Sequence, residues 1–278
     1  MRNKKTKTRE GVSILFQIFT AILMIFISSE PRFRLAVFLL LMALLEGRRF
    51  LPLLVNFNFK DLRHFLPILI EFLSILVMTF IYSKIKDESV VINLGDLKYF
   101  IVDIINKFFS IAVEELCTTF LWFYISFQVI LFFKDAPIPT KQIKITTVVL
   151  AVLFSLGHIS NYHAVMRAGI SVNQPMFLLA GILYSVFCVG LYLKTLFVKS
   201  FSMILVIIAH FLIDLPRFYC FLYKIEIVGP TLFLLYAAFF NSSIYLLYTL
   251  WVLQKSDDHP KVEALIKDLS ARISVNAI

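Results

Sequence analysis

Residues 108–128 read FFSIAVEELCTTFLWFYISFQ, an apolar stretch that carries two adjacent carboxylates, Glu114 and Glu115. The stretch has the length and character of a membrane-spanning helix, which needs about 20 predominantly apolar residues. An ionised carboxylate at the centre of such a helix costs at least about 2.5 kcal/mol on insertion scales. Two of them side by side therefore indicate that one face of this helix meets a water-accessible interior and not lipid.

The composition of the whole chain is that of an integral membrane protein. Hydrophobic residues make up 60% of the 278 residues, charged residues only 16%, and the mean hydropathy is +0.86. A soluble domain has about a quarter charged residues. The net charge of +9 comes from Lys and Arg that lie mostly in short segments between apolar runs, which is typical of membrane topology. We therefore expect the lipid bilayer, and no nucleic acid, as a partner.

Eight apolar runs predict an all-α fold, a single membrane domain over residues 1–278 with about eight transmembrane helices. About 20 residues at a rise of 1.5 Å each cross the roughly 30 Å of hydrocarbon. The runs are 11–28, 33–46, 65–82, 108–133, 145–164, 176–193, 200–222 and 230–253. The fourth run has an amphipathic lead-in that begins at Leu97.

Basic residues set the predicted orientation. Most of the 27 Lys and Arg fall on the side of the N-terminus, so both termini are predicted to be cytoplasmic. This topology puts Lys194 and Lys199 in a cytoplasmic loop and makes residues 254–278 a cytoplasmic tail with a short surface helix. With a span that begins at residue 108, Glu114 lies ~9 Å below the outer end. The site would then be reached from the extracytoplasmic side.

Two later apolar runs carry polar residues at helical spacing. In AVLFSLGHISNYHA, Phe154 and His158 are four residues apart and share a helix face, and Asn161 follows them. In VIIAHFLIDLPRF, His210 and Asp214 share a face in the same way. Polar side chains within a span face the bundle interior and find partners there. We therefore predict that these residues converge with the two glutamates.

A converging set of Glu, His and Asp allows more than one chemistry. A carboxylate beside a histidine can remove a proton from water and return it to a leaving group. The second His and the Asp could stabilise an oxyanion or orient a carbonyl. Alternatively, a divalent metal such as zinc could be bound, although the HExxH motif is absent. The candidate metal ligands are Glu114, His158, His210 and Asp214.

The order of these motifs resembles the CPBP family, which includes the type II CAAX prenyl proteases and bacterial abortive-infection or bacteriocin-processing proteins. The motifs read EELCTT, FSLGH and HFLID, in the family order EE, FxxxH and HxxxN or HxxxD on successive spans. Between them, FLLAGILYSVFCVGLYLKTLF resembles the Gly-containing span of the family. The resemblance covers residues 105–220 and implies a catalytic bundle of spans four to seven.

The resemblance implies an intramembrane endopeptidase of a bacterial plasma membrane. The residues implied in catalysis are Glu114, Glu115, His158, His210 and Asp214, and those implied to line the cavity are Phe154 and Asn161. Glu114 and His158 would activate the water. His210 and Asp214 would stabilise the oxyanion, for which Asp214 must be protonated because the family usually has Asn there. The substrate would be a membrane-associated peptide or lipidated peptide, such as a pheromone or a bacteriocin precursor.

One position departs from the family pattern EExxxR, because Thr119 stands where the arginine would be. Without that arginine, Glu115 would be protonated, hydrated or paired with another cation such as Arg167 or Arg217. A degenerate member of the family is therefore an alternative, namely a non-catalytic immunity or regulatory protein that binds a peptide in the same cavity. A transporter, the third class, would show two repeat halves, and the sequence shows no such symmetry.

Overall fold

The computed structural model describes residues 11–22 (except 13 and 21), 30–46, 59–86, 97–133, 140–159, 175–222 and 237–255. All regular secondary structure in these ranges is helical. The all-α prediction is therefore confirmed for this part of the chain. The predicted surface helix of the tail lies outside the described residues.

The helices with assigned bounds follow the apolar runs. The α-helices are α1 (Pro31–Glu46), α2 (Leu66–Lys86), α3 (Leu97–Glu115), α4 (Trp122–Phe133), α5 (Thr140–Gly157), α6 (Pro175–Ser200), α7 (Met203–Leu222) and α8 (Ser242–Lys255). A 3₁₀ helix spans Phe59–Phe65, and π-helical segments span Leu116–Leu121 and Ala237–Asn241. Helices α1 and α6 begin with proline, which suits the first helical position because its missing N–H needs no partner there.

Two helices of the described residues are long and apolar enough to cross a membrane. They are Ile101–Ile130, with a mean hydropathy of 1.4, and Leu179–Ser200, with a mean hydropathy of 1.8. A shorter apolar helix covers Met203–Leu215. These helices agree with membrane association, and the arrangement of eight spans stays a prediction.

Helices α3 and α4 and the π-helical segment between them form one continuous helical stretch. Glu114 and Glu115 lie close to the midpoint of its apolar part, Ile101–Ile130. The helix begins at Leu97, as the amphipathic lead-in predicted, and the depth of Glu114 in the membrane stays a prediction. A π-helical turn inserts an extra residue into the helix and is often found at functional sites. Here it starts directly after Glu115.

Helix α6 is longer than the sequence predicted. The predicted span ended at residue 193 and left Lys194 and Lys199 in a loop, whereas α6 continues unbroken to Ser200. Lys194 is fully buried inside it. The loop assignment of these two lysines is wrong because charged residues interrupt the apolar run without interrupting the helix.

Helix α5 covers the first part of the predicted span 145–164. It is continuous as far as Gly157. His158 lies just beyond it, and its backbone N–H donates to the carbonyl of Ser155 at 3.0 Å. His158 therefore lies in a turn directly after α5 and Ile159 is again helical, while the predicted continuation beyond residue 159 lies outside the described residues.

Helix α6 is the centre of the bundle, because it packs against α5, α7 and α8. Helix α3 packs against α1 and α7. Buried aromatic rings fill the contact between α4 and α6, where Phe123 lies 5.6 Å from Phe197, measured between ring centroids. This packing brings α3, α6, α7 and the end of α5 around one group of polar side chains.

Candidate active site

Glu114 and His158 form a carboxylate–imidazole pair that joins α3 to the end of α5. Oε1 of Glu114 lies 3.0 Å from Nε2 of His158. On the other side of the ring, Nδ1 lies 2.8 Å from the carbonyl oxygen of Phe154. A carbonyl only accepts, so Nδ1 carries a proton, and a second proton lies between Nε2 and the carboxylate. Both side chains are partly exposed, at 29% for Glu114 and 24% for His158.

Glu115 forms a separate, fully buried cluster. Its Oε1 accepts a hydrogen bond from Nδ1 of His210 at 2.7 Å. Its Oε2 accepts from the hydroxyl of Thr119 and, at 3.3 Å, from Nζ of Lys194. A buried carboxylate needs this many donors because an unpaired charge in a dry interior is very costly. Glu115 is thus an acceptor that is tied to three neighbours.

Lys194 is the cation of this cluster and is itself completely buried. Besides Glu115, its ammonium group donates to the hydroxyls of Thr119 and of Thr118, the latter at 3.3 Å. Thr119 therefore accepts from the lysine while it donates to the carboxylate. Among the described side chains, Lys194 is the cation beside Glu115. The side chains of Arg167 and Arg217, the partners named from the sequence, lie outside the described residues.

The ring of Phe154 lies at the centre of these groups. Its centroid is 4.5 Å from that of His158 and 6.0 Å from that of His210. The ammonium of Lys194 lies 4.2 Å from the same centroid, within the range of a cation–π interaction. The structure thus places Phe154 beside both histidines, where it separates the two carboxylate–histidine pairs. Asn161, the other expected lining residue, lies outside the described residues.

Asp214 lies on the far side of His210. Its Oδ2 is 3.8 Å from Nε2 of His210, which is too long for a hydrogen bond, and 2.9 Å from Nζ of Lys107 on α3. An ammonium group has only protons to donate, so Asp214 is an acceptor in this contact. The role implied by the resemblance required Asp214 to donate. That role stays a prediction.

The expected metal ligands do not form a common centre in the part of the chain that the structure describes. The described residues contain no group of three or more His, Cys, Asp or Glu side chains that could hold a metal ion. The ligands implied by the sequence are instead arranged as separate pairs. Glu114 contacts His158 in one pair, and Glu115 contacts His210 in the other.

Lys194 and Lys107 are the two charged residues of this site that the sequence did not predict. Both are charged side chains next to or within long apolar runs, and that is the one sign the sequence offered. Lys194 lies 79 residues from Glu115 in the chain, and Lys107 contacts a residue on a different helix. No local spacing rule connects such pairs.

Comparison of the chain with protein families, with characterised proteins and with solved structures gives no significant match.

Proposed function

We propose that the protein is a multi-span intramembrane endopeptidase of the CPBP type, with both termini in the cytoplasm, that hydrolyses a peptide bond in a membrane-associated peptide. The contact between Glu114 and His158 carries this proposal. The pair is partly exposed, so water and a substrate can reach it, and its two partners share a proton. A carboxylate that can exchange a proton with an imidazole is the arrangement required for activating water.

In the proposed reaction, Glu114 takes a proton from a water molecule as the water oxygen attacks the carbonyl carbon of the scissile bond. The attack forms a C–O bond and moves the carbonyl electron pair onto oxygen. When the tetrahedral intermediate collapses, the C–N bond breaks and the leaving nitrogen receives a proton from the Glu114–His158 pair. His158 keeps the carboxylate in place because its other ring nitrogen is fixed on the carbonyl of Phe154.

His210 is the proposed oxyanion donor. Its Nδ1 is held by Glu115, so Nε2 points away from that carboxylate. Because Nδ1 donates to Glu115, Nε2 carries a proton as well only when His210 is an imidazolium, and in that form it would donate to the negative oxygen of the intermediate. Asp214 accepts from Lys107 and lies 3.8 Å from Nε2 of His210, so it would act on that ring only through its charge and would not donate to the oxyanion.

Mass spectrometry of peptides from cells that express the protein tests this function. The compared proteins are wild type, Glu114→Gln, His158→Ala and, as a control, Asp103→Asn, which replaces an exposed carboxylate on the same helix. We expect defined cleavage products with wild type and Asp103→Asn and none with the two site variants. Identical peptide profiles in all four samples, together with a phenotype that all four proteins confer, would favour the non-catalytic peptide-binding alternative.

A further inference from the structure

We propose that Lys194 is a positioning residue, namely the fixed counter-ion of Glu115, through which it sets the orientation of His210. The inference rests on the proposed function for its effect on catalysis, but it also makes a prediction about the state of His210 that needs no substrate. Lys194 itself does not reach the reacting atoms in this proposal.

The contacts of Lys194 favour this role. Its ammonium is buried without exposure to solvent and has three oxygen partners, namely Glu115, Thr118 and Thr119. The face of the Phe154 ring covers it at 4.2 Å. A lysine loses much solvation and side-chain freedom in such a position. An oxygen cage and an aromatic face around the ammonium are what compensate a buried cation, so the site holds the charge at one defined point.

The contact between Lys194 and Glu115 affects the orientation of His210, because Glu115 also contacts His210. A carboxylate compensated by Lys194 stays an acceptor, and it therefore receives the proton on Nδ1 of His210. Nδ1 is thereby fixed as a donor, which leaves Nε2 for the substrate side. Without the lysine, Oε2 of Glu115 would lose one of its two donors, and the carboxylate would be held only by Thr119 and His210. A carboxylate that is free to turn no longer selects one arrangement of the His210 ring.

The arrangement also accounts for Thr119. The threonine cannot supply the positive charge of the arginine expected at that position, but its hydroxyl links the lysine to the carboxylate. The positive charge is therefore present in this protein on a different helix, α6. The orienting role requires that both Glu115 and Lys194 are charged. A purely structural role would require only that no buried charge lacks a partner of opposite charge.

Two double variants distinguish an orienting role of Lys194 from a purely structural one. Glu115→Gln/Lys194→Met removes both charges together, so no buried charge remains unpaired. Thr119→Arg/Lys194→Ala removes the lysine and returns a cation one helical turn after Glu115. Each purified variant is compared with wild type by nitrogen-15 NMR of labelled histidine in detergent micelles, with the His210→Asn spectrum used for assignment, and by cleavage of the peptide identified for wild type.

We expect Glu115→Gln/Lys194→Met to fold, to change the ring nitrogen signals of His210 and to lose up to about 10⁴-fold in cleavage rate, as replacement of an orienting carboxylate by its amide does elsewhere. Thr119→Arg/Lys194→Ala should recover the wild-type His210 signals and most of the activity. Wild-type His210 signals in the neutral double variant would overturn the proposal, and so would its full activity. If wild type cleaves nothing, the proposed function fails while the NMR comparison still decides the role of Lys194.

Discussion

Glu114 and Glu115 are consecutive in the chain, yet the first is 29% exposed and the second is completely buried. Each contacts a histidine of a different helical element, His158 or His210. The helix changes from α to π geometry directly after Glu115. Two carboxylates that look equivalent in the sequence are therefore assigned to different tasks, one at the water-accessible pair and one inside the buried cluster.

Replacing each glutamate by glutamine should affect stability very differently. Glu115→Gln leaves the buried Lys194 without its carboxylate, and loss of one partner of a buried ion pair costs about 3–5 kcal/mol. Glu114→Gln removes a partly exposed contact, for which about 0–1 kcal/mol is expected. Thermal unfolding of both variants in the same detergent measures the difference. Equal loss of stability in the two variants would contradict the assignment of Glu115 to the buried cluster.

Gly190 on α6 provides a way to disturb the site without changing a polar group. A Cβ atom at this position would lie 2.8 Å from Cδ1 of Phe154, so the ring would have to move. Because that ring contacts His158, His210 and Lys194, Gly190→Ala should lower the cleavage rate by about 10- to 100-fold, as small displacements in an active site do.

The matched control is Gly157→Ala at the end of α5, where a Cβ would meet nothing within 4 Å. This variant should keep the wild-type cleavage rate, although its position is next to His158. Kinetic measurement of both variants separates a displaced Phe154 ring from a general effect of adding a methyl group. An active Gly190→Ala protein would mean that the position of the ring does not matter for the reaction.

The parts of the site that depend on local spacing could be predicted from the sequence. The separation of four residues between Phe154 and His158, and between His210 and Asp214, predicts a common helix face. In the structure, Phe154 contacts His158, and Asp214 lies beside His210. The cost of a charge in an apolar helix likewise predicted that Glu115 needs partners, without showing which.

The partners themselves depend on tertiary packing. Hydropathy assigned Lys194 to a loop, because a lysine at the end of an apolar run usually lies at the membrane boundary. Its burial follows from the approach of α6 to the π-helical segment, where Thr118 and Thr119 provide hydroxyls for its ammonium. Neither the π-helical segment nor the crossing of the helices has a pattern in the sequence that predicts it.

The turn between α6 and α7 contains a strained residue. Phe201 has φ 51°, in the left-handed region, while its N–H donates to the carbonyl of Phe197 at 2.7 Å. Ser202 follows as the N-cap of α7, with its hydroxyl oxygen accepting from the N–H of Leu205 at 3.4 Å. The left-handed conformation costs about 1–2 kcal/mol for a residue with a Cβ and almost nothing for glycine.

Phe201→Gly should therefore be more stable than Phe201→Ala by about 1 kcal/mol. Both variants lose the packing of a buried ring, which lies 5.2 Å from Phe197 between centroids, so both should be less stable than wild type. Only the alanine variant keeps the strain. Chemical denaturation of the two variants in detergent gives the difference. If alanine were the better residue here, as it is inside a helix, the backbone would not adopt this φ in the folded protein.

A last prediction concerns His64, which lies in the 3₁₀ helix before α2. Its Nδ1 and the hydroxyl of Tyr248 are 2.6 Å apart. Burial lowers the pKa of His64 below its ordinary value of 6.5, and the nearby charges of Arg63 and Lys199 lower it further, while Asp61 acts in the opposite direction. The folded protein therefore binds a proton at His64 less readily than the unfolded chain does.

The sign of the pH effect follows from this lowered pKa of His64. Above the unfolded pKa the histidine is neutral in both states, so its full contribution to stability is present there. As the pH falls, the unfolded chain takes up the proton first, and stability decreases until the folded pKa is passed. His64→Gln can keep a hydrogen bond to Tyr248 but does not titrate. Between about pH 7 and pH 5, wild type should therefore lose more stability than His64→Gln, measured by denaturation at each pH. Parallel curves for the two proteins would show that His64 has the same proton affinity in the folded and unfolded states, and that its burial against Tyr248 has no effect on its charge.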